Sequence, residues 1–190
     1  LPGFVSSADY RYLHEIMSDF GLKTTILPDL SESLDGPALL EYEKIPQGGT
    51  ALSAIKHMGG AKATLEFGRT IAETETGGSF LEEKYGVENH QLGLPIGIRQ
   101  SDQFFEILSR ISGRPIPSTY AAQRGRLLDA LVDGHKHFNG VRAALFGEED
   151  LVAGLAAFCG ELGIIPVLCA TGGRNGRFEQ TVRRVVPERY

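Results

Sequence analysis

The chain has 190 residues, with 19 lysine and arginine residues against 24 aspartate and glutamate residues, which gives a net charge of -5 at pH 7. A mildly acidic chain is a poor candidate for binding a nucleic-acid backbone, and no apolar run approaches the roughly 18 residues of a membrane-spanning helix. The two cysteines are too few for a disulfide scaffold or for an iron–sulfur cluster, which takes about four ligands, and they fit a cytoplasmic protein.

The chain begins Leu1-Pro2-Gly3-Phe4, with no methionine and no charged segment ahead of an apolar stretch. This start does not have the form of a signal peptide. A chain that opens on Pro-Gly looks cut from a longer one, so we expect a fragment.

Apolar residues at helical spacing predict a first helix, with Ser6 and Asp9 as its capping box and Gly21 at its end. Residues 22–27 are expected to form a strand that ends at Pro28. Residues 28–49 are rich in turn-forming residues and predict a long loop, a feature that is uncommon inside compact domains and often functional.

The middle of the chain predicts short helices alternating with strands. Thr50 is expected to cap a short helix that ends at Gly59 and Gly60, and residues 61–67 to form a strand. Residues 69–85 predict a weak helix interrupted by Gly77 and Gly78, because glycine destabilises helix interiors.

Residues 91–98 (QLGLPIGI) predict a short apolar strand or loop. Ser101 and Asp102 are expected to cap the next helix, which Gly113 ends. Ser118 is expected to cap a longer helix that ends at Asn139-Gly140, with one apolar stripe of Tyr120, Leu127, Leu131 and Phe138.

The last fifty residues predict a βαβ unit. Residues 141–146 and 164–170 are the strands, and the helix between them carries an apolar face of Leu151, Leu155, Phe158 and Leu162 and stops at Gly163. Such a unit implies a parallel strand pair with a right-handed crossover. The alternation of strands and helices along the chain predicts an α/β fold with a Rossmann-like layered parallel sheet.

The Gly-rich turn (residues 171–177, TGGRNGR) follows a predicted strand, at the position where open α/β sheets bind ligands. The backbone amides of Gly172 and Gly173, with Arg174 and Arg177, are the candidate groups for binding a phosphate or another anion. The turn matches neither G-x-G-x-x-G nor the P-loop pattern. A tight connection between strand and helix explains the same glycines, and we prefer this simpler interpretation.

The acidic turn (residues 147–150, GEED) follows the first strand of the βαβ unit. A dinucleotide would place its pyrophosphate here, and three carboxylates would repel it, although they suit a helix N-terminus. The sequence therefore argues against NAD binding in the ordinary position. Cys159 and Cys169 are ten residues apart, which matches no metal motif, and His135 and His137 diverge on a helix, so we predict no metal site and no catalytic residue.

Several stretches together resemble the nitrogenase component 1 superfamily, in its β-type subunits. They are LPDLSESLDGP (27–37), LPIGIRQSDQFF (94–105), ISGRPIP (111–117) and QRGRLLDALVDGHKHFNGVRAALFGEEDLVAGL (123–155), with Gly48-Gly-Thr50 opening a helix. Within the superfamily, residues 27–36 and 51–68 are most similar to the N-type subunits of the iron–molybdenum cofactor assembly scaffold. The β subunits of the catalytic molybdenum–iron protein come next, and the light-independent chlorophyll-pathway reductases are more distant.

The resemblance implies a fragment of a multi-domain subunit. Residues 1–117 would be a middle Rossmann-like domain without its first strand, residues 118–139 a connecting helix, and residues 140–190 the start of the next Rossmann-like domain. The parent complex would be a heterotetramer, two copies of a heterodimer with an E-type subunit. It would hold iron–sulfur clusters and a cofactor precursor and would dock the nitrogenase iron protein.

In the resembling family the cluster ligands lie upstream, so no ligand or catalytic residue is carried over to this chain, and no cofactor is expected in this segment. Two other functions stay open. One is the β subunit of the catalytic nitrogenase. The other, of a different class, is an autonomous nucleotide- or anion-binding α/β enzyme that uses the Gly-rich turn.

Overall fold

The computed structural model describes residues 5–36, 38, 40–42, 44, 48–72 and 74–186. Its α/β fold contains two pairs of parallel strands, each accompanied by helices, as the alternation in the sequence predicts. The elements in chain order are α1 Ser7–Asp19, α2 Leu52–Lys56, a 3-10 helix Met58–Gly60, β1 Ala63–Phe67, α3 Gly77–Tyr85, β2 Glu88–Leu92, α4 Gly97–Ser112, α5 Ser118–Phe138, β3 Arg142–Gly147, α6 Glu149–Leu162, β4 Ile165–Thr171 and α7 Phe178–Val185.

Helix α1 has the capping box that the sequence predicts. The hydroxyl of Ser6 accepts the Asp9 N–H at 3.3 Å, and the Asp9 carboxylate accepts the Ser6 N–H at 2.9 Å. Gly21 follows the helix with φ +68°, a left-handed conformation that glycine adopts without strain.

The strand expected at residues 22–27 is not formed, and this prediction was wrong. A strand needs a neighbour for its backbone N–H and C=O groups, and the described sheets pair only β1 with β2 and β3 with β4. The carbonyl of Ile26 instead accepts the hydroxyl of Thr50 at 2.5 Å, and that hydroxyl accepts the Asp29 N–H at 3.0 Å. Thr50 therefore fastens the chain before the long loop and does not cap α2.

The described residues of the long loop, 28–36, 38, 40–42, 44 and 48–49, contain neither helix nor strand, as expected; the remaining loop positions lie outside the described residues. Side chains of α1 hold its first part. Arg11 binds both carboxylate oxygens of Asp35 at 2.9 and 2.8 Å, and His14 Nε2 lies 2.8 Å from Asp29. The segment is thus bound to α1 even though it has no regular secondary structure.

Strand β1 confirms the strand predicted near residues 61–67, and it pairs in parallel with β2, with Ala63 opposite Glu88 and Phe67 opposite Leu92. Strand β2 itself begins earlier and is more polar than the apolar stretch 91–98 that was expected to form it. Gly77 and Gly78 begin helix α3 and do not interrupt a longer one. Thr76 caps α3 through a capping box with Ser79. A Cβ on Gly78 would lie 2.5 Å from Asn89 Oδ1, so a larger residue here would displace that side chain.

Helix α4 begins at Gly97, four residues before the cap expected at Ser101 and Asp102. The carboxylate of Glu161, on α6, accepts the N–H groups of Ile98 at 2.7 Å and Arg99 at 2.9 Å. A cap supplied by a distant helix therefore sets the start of α4, and no local sequence signal announces it.

The main core lies between α1, α4 and the start of α5, where seven side chains form one buried cluster: Ile16, Met17, Phe20, Leu92, Phe104, Leu108 and Tyr120. The rings of Phe105 and Tyr120 lie 4.9 Å apart. The Tyr120 hydroxyl donates to Asp19 at 2.6 Å, and burial together with that carboxylate raises the pKa of Tyr120. The first turn of α5 is thus fixed to the end of α1.

Strands β3 and β4 pair in parallel around α6, which confirms the predicted βαβ unit and its stop at Gly163. The buried face of α6 differs from the predicted one. Val152, Ala153, Ala156 and Ala157 are buried, whereas the larger residues at 151, 155, 158 and 162 are only half-buried. Small side chains at a contact let a helix approach its neighbours closely. The buried face of α6 therefore consists of its small residues, whereas the prediction had selected its large apolar residues.

Among the described helices, none is both long and apolar enough to cross a membrane.

Candidate functional site at the strand ends

The carboxyl ends of β1 and β4 and the start of α6 meet in one buried network centred on Thr70 and Asp150. Thr70 is fully buried and Asp150 is 5% exposed. Asp150 accepts the Thr70 hydroxyl at 2.7 Å and the Thr70 N–H at 3.2 Å, one with each carboxylate oxygen. Two residues that are eighty positions apart thereby join the β1–β2 part of the chain to the β3–β4 part.

The Gly-rich turn closes the same network from the other side. Its Asn175 side chain donates to the Thr70 hydroxyl at 3.4 Å, and the Arg177 N–H donates to the Thr70 carbonyl at 3.0 Å. The Ala72 N–H donates to the Asn175 carbonyl at 2.7 Å. The edge at which open α/β sheets take their ligands is therefore crossed by the chain's own hydrogen bonds.

All three carboxylates of the acidic turn are engaged within the chain. Glu148 caps α6 by accepting the Leu151 N–H at 2.9 Å, and Asp150 binds Thr70. Glu149 is only 2% exposed and its Oε1 accepts the Asn175 N–H at 3.0 Å. Negative charge in the first turn of a helix is favoured by the helix dipole, so this placement agrees with the expectation drawn from the sequence.

Burial shifts the pKa values of Asp150 and of the neighbouring Arg69. It raises the pKa of Asp150, a shift that the hydrogen bonds from Thr70 oppose. It lowers the pKa of Arg69, in the same direction as the nearby charge of Arg184, while Asp150 acts the other way. Arg69 directs its guanidinium at amide oxygens, those of Gln100 at 3.0 Å and Gln103 at 2.7 Å.

The four residues proposed from the sequence for anion binding lie together in this turn. Gly172, Gly173 and Arg174 are exposed and Arg177 is half-buried. The Gly173 N–H donates to the Thr171 hydroxyl at 2.9 Å, inside the turn. Binding of an external anion by these residues stays a prediction.

The two cysteines lie in α6 and β4, and burial raises the pKa of both thiols. A raised pKa favours the neutral thiol, whereas an iron–sulfur cluster takes thiolates. Among the described residues, no three His, Cys, Asp or Glu side chains are grouped so as to hold a metal ion. The residues that the structure describes therefore do not fit a cluster.

An apolar groove of about 660 Å³ lies between α1, α4 and α5. Tyr12, Leu13, Phe105, Ile116 and Leu127 are among its walls, and the Arg124–Asp102 ion pair lies at its rim. Residues 121–130 of α5 are all exposed. Of the stripe predicted for this helix, Tyr120 is buried and Leu131 is half-buried, whereas Leu127 and Phe138 are exposed. Sequence reasoning had identified the stripe but not its exposure.

The two parallel strand pairs, their helices and the internally closed strand ends define a Rossmann-like α/β chain. The sequence model of one protein family, the nitrogenase component 1 type oxidoreductases, matches residues 1–189, and the chain belongs to this family. The resemblance recognised in the motif series is thereby confirmed.

Three relatives are similar over most of the chain. The nitrogenase molybdenum-iron protein beta chain of Clostridium pasteurianum is 32% identical over 99% of the chain, and that of Bradyrhizobium diazoefficiens is 38% identical over 93%. The nitrogenase iron-molybdenum cofactor biosynthesis protein NifN of Bradyrhizobium diazoefficiens is 36% identical over 86% of the chain. A solved structure described as nitrogenase Cp1 at pH 6.5 superposes with a TM-score of 0.88 at 33% identity and covers 97% of the chain.

The chain spans 41%, 33% and 34% of the lengths of these three relatives, and 40% of the chain in the solved structure. It is therefore a β-type component 1 chain that corresponds to less than half of such a subunit.

Proposed function

We propose that the chain is part of an N-type scaffold subunit for biosynthesis of the nitrogenase iron–molybdenum cofactor. The similarity of residues 27–36 and 51–68 to such subunits carries this proposal, and the 36% identity to the NifN protein supports it. Its partner would be an E-type subunit in a heterotetramer that contains two copies of the heterodimer. The assembly would hold the maturing cluster and dock the nitrogenase iron protein.

The role of this segment within the subunit is structural. Residues 1–117 belong to a middle Rossmann-like domain, residues 118–139 connect it, and residues 140–190 begin the next domain. The hydrogen bonds between Thr70, Asp150 and Asn175 support a structural role. They join the β1–β2 part to the β3–β4 part at the sheet edge that an enzyme of this fold would keep open for a ligand. Iron–sulfur clusters and cofactor precursor are bound by residues outside this segment.

The β subunit of the catalytic molybdenum–iron protein is the second candidate. The identities of 32% and 38% to nitrogenase beta chains over nearly the whole segment favour it. Both candidates are compatible with the fold and with the hydrogen bonds among Thr70, Asp150 and Asn175, which we call the junction. Only the behaviour of the full-length protein therefore distinguishes them.

Genetic complementation separates the two functions directly. The full-length gene is introduced into two diazotrophic strains, one lacking the scaffold N subunit and one lacking the catalytic β subunit, and growth on dinitrogen is measured. Growth restored only in the first strain is the expected result, and growth restored only in the second overturns the proposal. Two variants of the full-length gene are compared in the same assay. Asp150→Asn changes the junction, whereas Thr25→Val changes an exposed site and serves as its control.

Purification completes the test. The full-length protein is coexpressed with an E-type subunit, and complex formation, iron content and the activation of cofactor-free molybdenum–iron protein are measured. A protein that pairs, carries iron and activates the acceptor supports the scaffold function. A protein that forms no complex with the E-type subunit refutes it.

A further inference from the structure

The Gly-rich turn contacts a carboxylate of the chain itself, the side chain of Glu149. The Asn175 N–H donates to Glu149 Oε1 at 3.0 Å, and Glu149 is in the first turn of α6. Backbone N–H groups and the N-terminal end of a helix dipole are the groups that bind phosphate in many α/β proteins. Here the Asn175 N–H and the N-terminal end of α6 are both close to the side-chain carboxylate of Glu149.

The turn is shaped around that carboxylate. A Cβ placed on Gly173 would lie 2.5 Å from Glu149 Oε1 and 3.0 Å from its Cγ and Cδ, so only glycine allows the turn to close over it. By contrast, a Cβ on Gly172 would meet no atom within 4 Å. Gly172, Gly173 and Asn175 are exposed while Glu149 is 2% exposed, so the turn is the wall that separates the carboxylate from solvent.

The second oxygen of the carboxylate is incompletely bound. Glu149 Oε2 is buried and has no hydrogen-bond partner among the described residues. Buried carboxylate oxygens are normally partnered, so this position is not optimised for a glutamate side chain.

We infer that the Gly-rich turn is an oxyanion site that Glu149 fills from within, and that this carboxylate keeps phosphate out. When the carboxylate is removed, the position accepts a small free oxyanion through the Asn175 N–H, with Arg174 and Arg177 of the same turn as flanking charges. The inference holds for a scaffold subunit and for a catalytic subunit alike, because it depends only on contacts within this chain.

The test uses Glu149→Ala in the full-length protein. Inorganic phosphate and, separately, formate are titrated at constant ionic strength, and the thermal midpoint and the heat of binding are recorded. The wild type is expected to show no saturable binding over the titrated range, whereas Glu149→Ala is expected to bind phosphate saturably, at least tenfold more tightly than the weakest binding that the titration detects. Arg174→Ala in the same background weakens that binding.

Two matched variants control for general effects. Glu149→Gln keeps a side-chain oxygen in the turn and is expected not to respond to phosphate. Glu148→Ala removes a neighbouring carboxylate that caps α6 and is expected to lower the thermal midpoint without any phosphate binding. If Glu149→Ala folds poorly, its soluble yield during refolding is expected to rise with formate and not with formamide.

Three results overturn the inference. The first is wild-type protein that binds phosphate as tightly as Glu149→Ala. The second is a folded Glu149→Ala protein that binds neither ion. The third is a misfolded Glu149→Ala protein that neither phosphate nor formate rescues while Glu149→Gln folds normally.

Discussion

Thr70→Val tests whether the junction between the two strand pairs depends on one hydroxyl. Valine has nearly the shape of threonine, so the substitution leaves no cavity at this fully buried site. It removes the 2.7 Å hydrogen bond to Asp150 and leaves that carboxylate oxygen buried without a donor. A hydrogen bond to a charged group contributes roughly 1.5–3 kcal/mol, and the orphaned oxygen places the expected loss in the upper half, about 2–3 kcal/mol.

Urea unfolding of the chain measures this loss. Thermal unfolding gives a second measure: for a chain of this size a loss of 1 kcal/mol lowers the thermal midpoint by about 2–4 °C, so a decrease of roughly 4–12 °C is expected. Thr25→Val is the matched control, because Thr25 is exposed, and it is expected to change stability by less than about 0.5 kcal/mol.

A double-mutant cycle assigns the loss to the contact itself. Asp150→Asn removes the buried charge while keeping an oxygen for the Thr70 N–H, so Thr70→Val is expected to cost less in that background than in the wild type. A cost that is equal in both backgrounds would refute the reasoning. So would a Thr70→Val loss no larger than that of the Thr25→Val control.

Three further predictions concern the carboxylates of α6. Gly173→Ala is expected to cost about 1–3 kcal/mol because its Cβ meets the buried Glu149, whereas Gly172→Ala is nearly neutral; equal unfolding free energies for the two would contradict the packing described. Glu161→Ala withdraws the acceptor of the Ile98 and Arg99 amide groups of α4 and is expected to cost about 1–2 kcal/mol in urea unfolding, a loss that the exposed Glu179→Ala does not reproduce. Burial raises the pKa of Asp150, so its contribution to stability is present below the unfolded-state pKa near about 4 and is lost as the pH rises through the folded-state pKa; Asp150→Asn should remove this loss of unfolding free energy above about pH 4, and an unchanged slope would count against the shift.

Signals that lie within one element were enough to predict most of the helices. The capping box of Ser6 and Asp9 and the glycines that follow α1, α4 and α6 are local features, and each was found in place. The βαβ unit of the last fifty residues was also predictable, because its strands and helix follow one another directly. In these cases the residues that decide a boundary are neighbours in sequence.

The errors arise where a distant residue decides the local structure. Helix α4 starts early because Glu161, more than sixty residues away, accepts its first amide groups. Residues 22–27 have the apolar content of a strand, but no described strand lies beside them. Thr50 has the residue type of a helix cap and instead joins Ile26 to Asp29. Composition cannot announce such partners, since each is brought close only by the fold.

The acidic turn shows that a sequence pattern can suggest an effect without showing the contacts behind it. From the sequence, its three carboxylates oppose a pyrophosphate by charge alone. In the structure each of them accepts a hydrogen bond within the chain: Glu148 from an α6 amide group, Glu149 from the Gly-rich turn and Asp150 from Thr70. The edge that other α/β proteins leave open for a nucleotide is thus filled by groups of the same hydrogen-bonding type as a phosphate oxygen. Removing the carboxylate of Asp150 would take away the hydrogen bonds that join the two strand pairs, and this is a structural use of the edge.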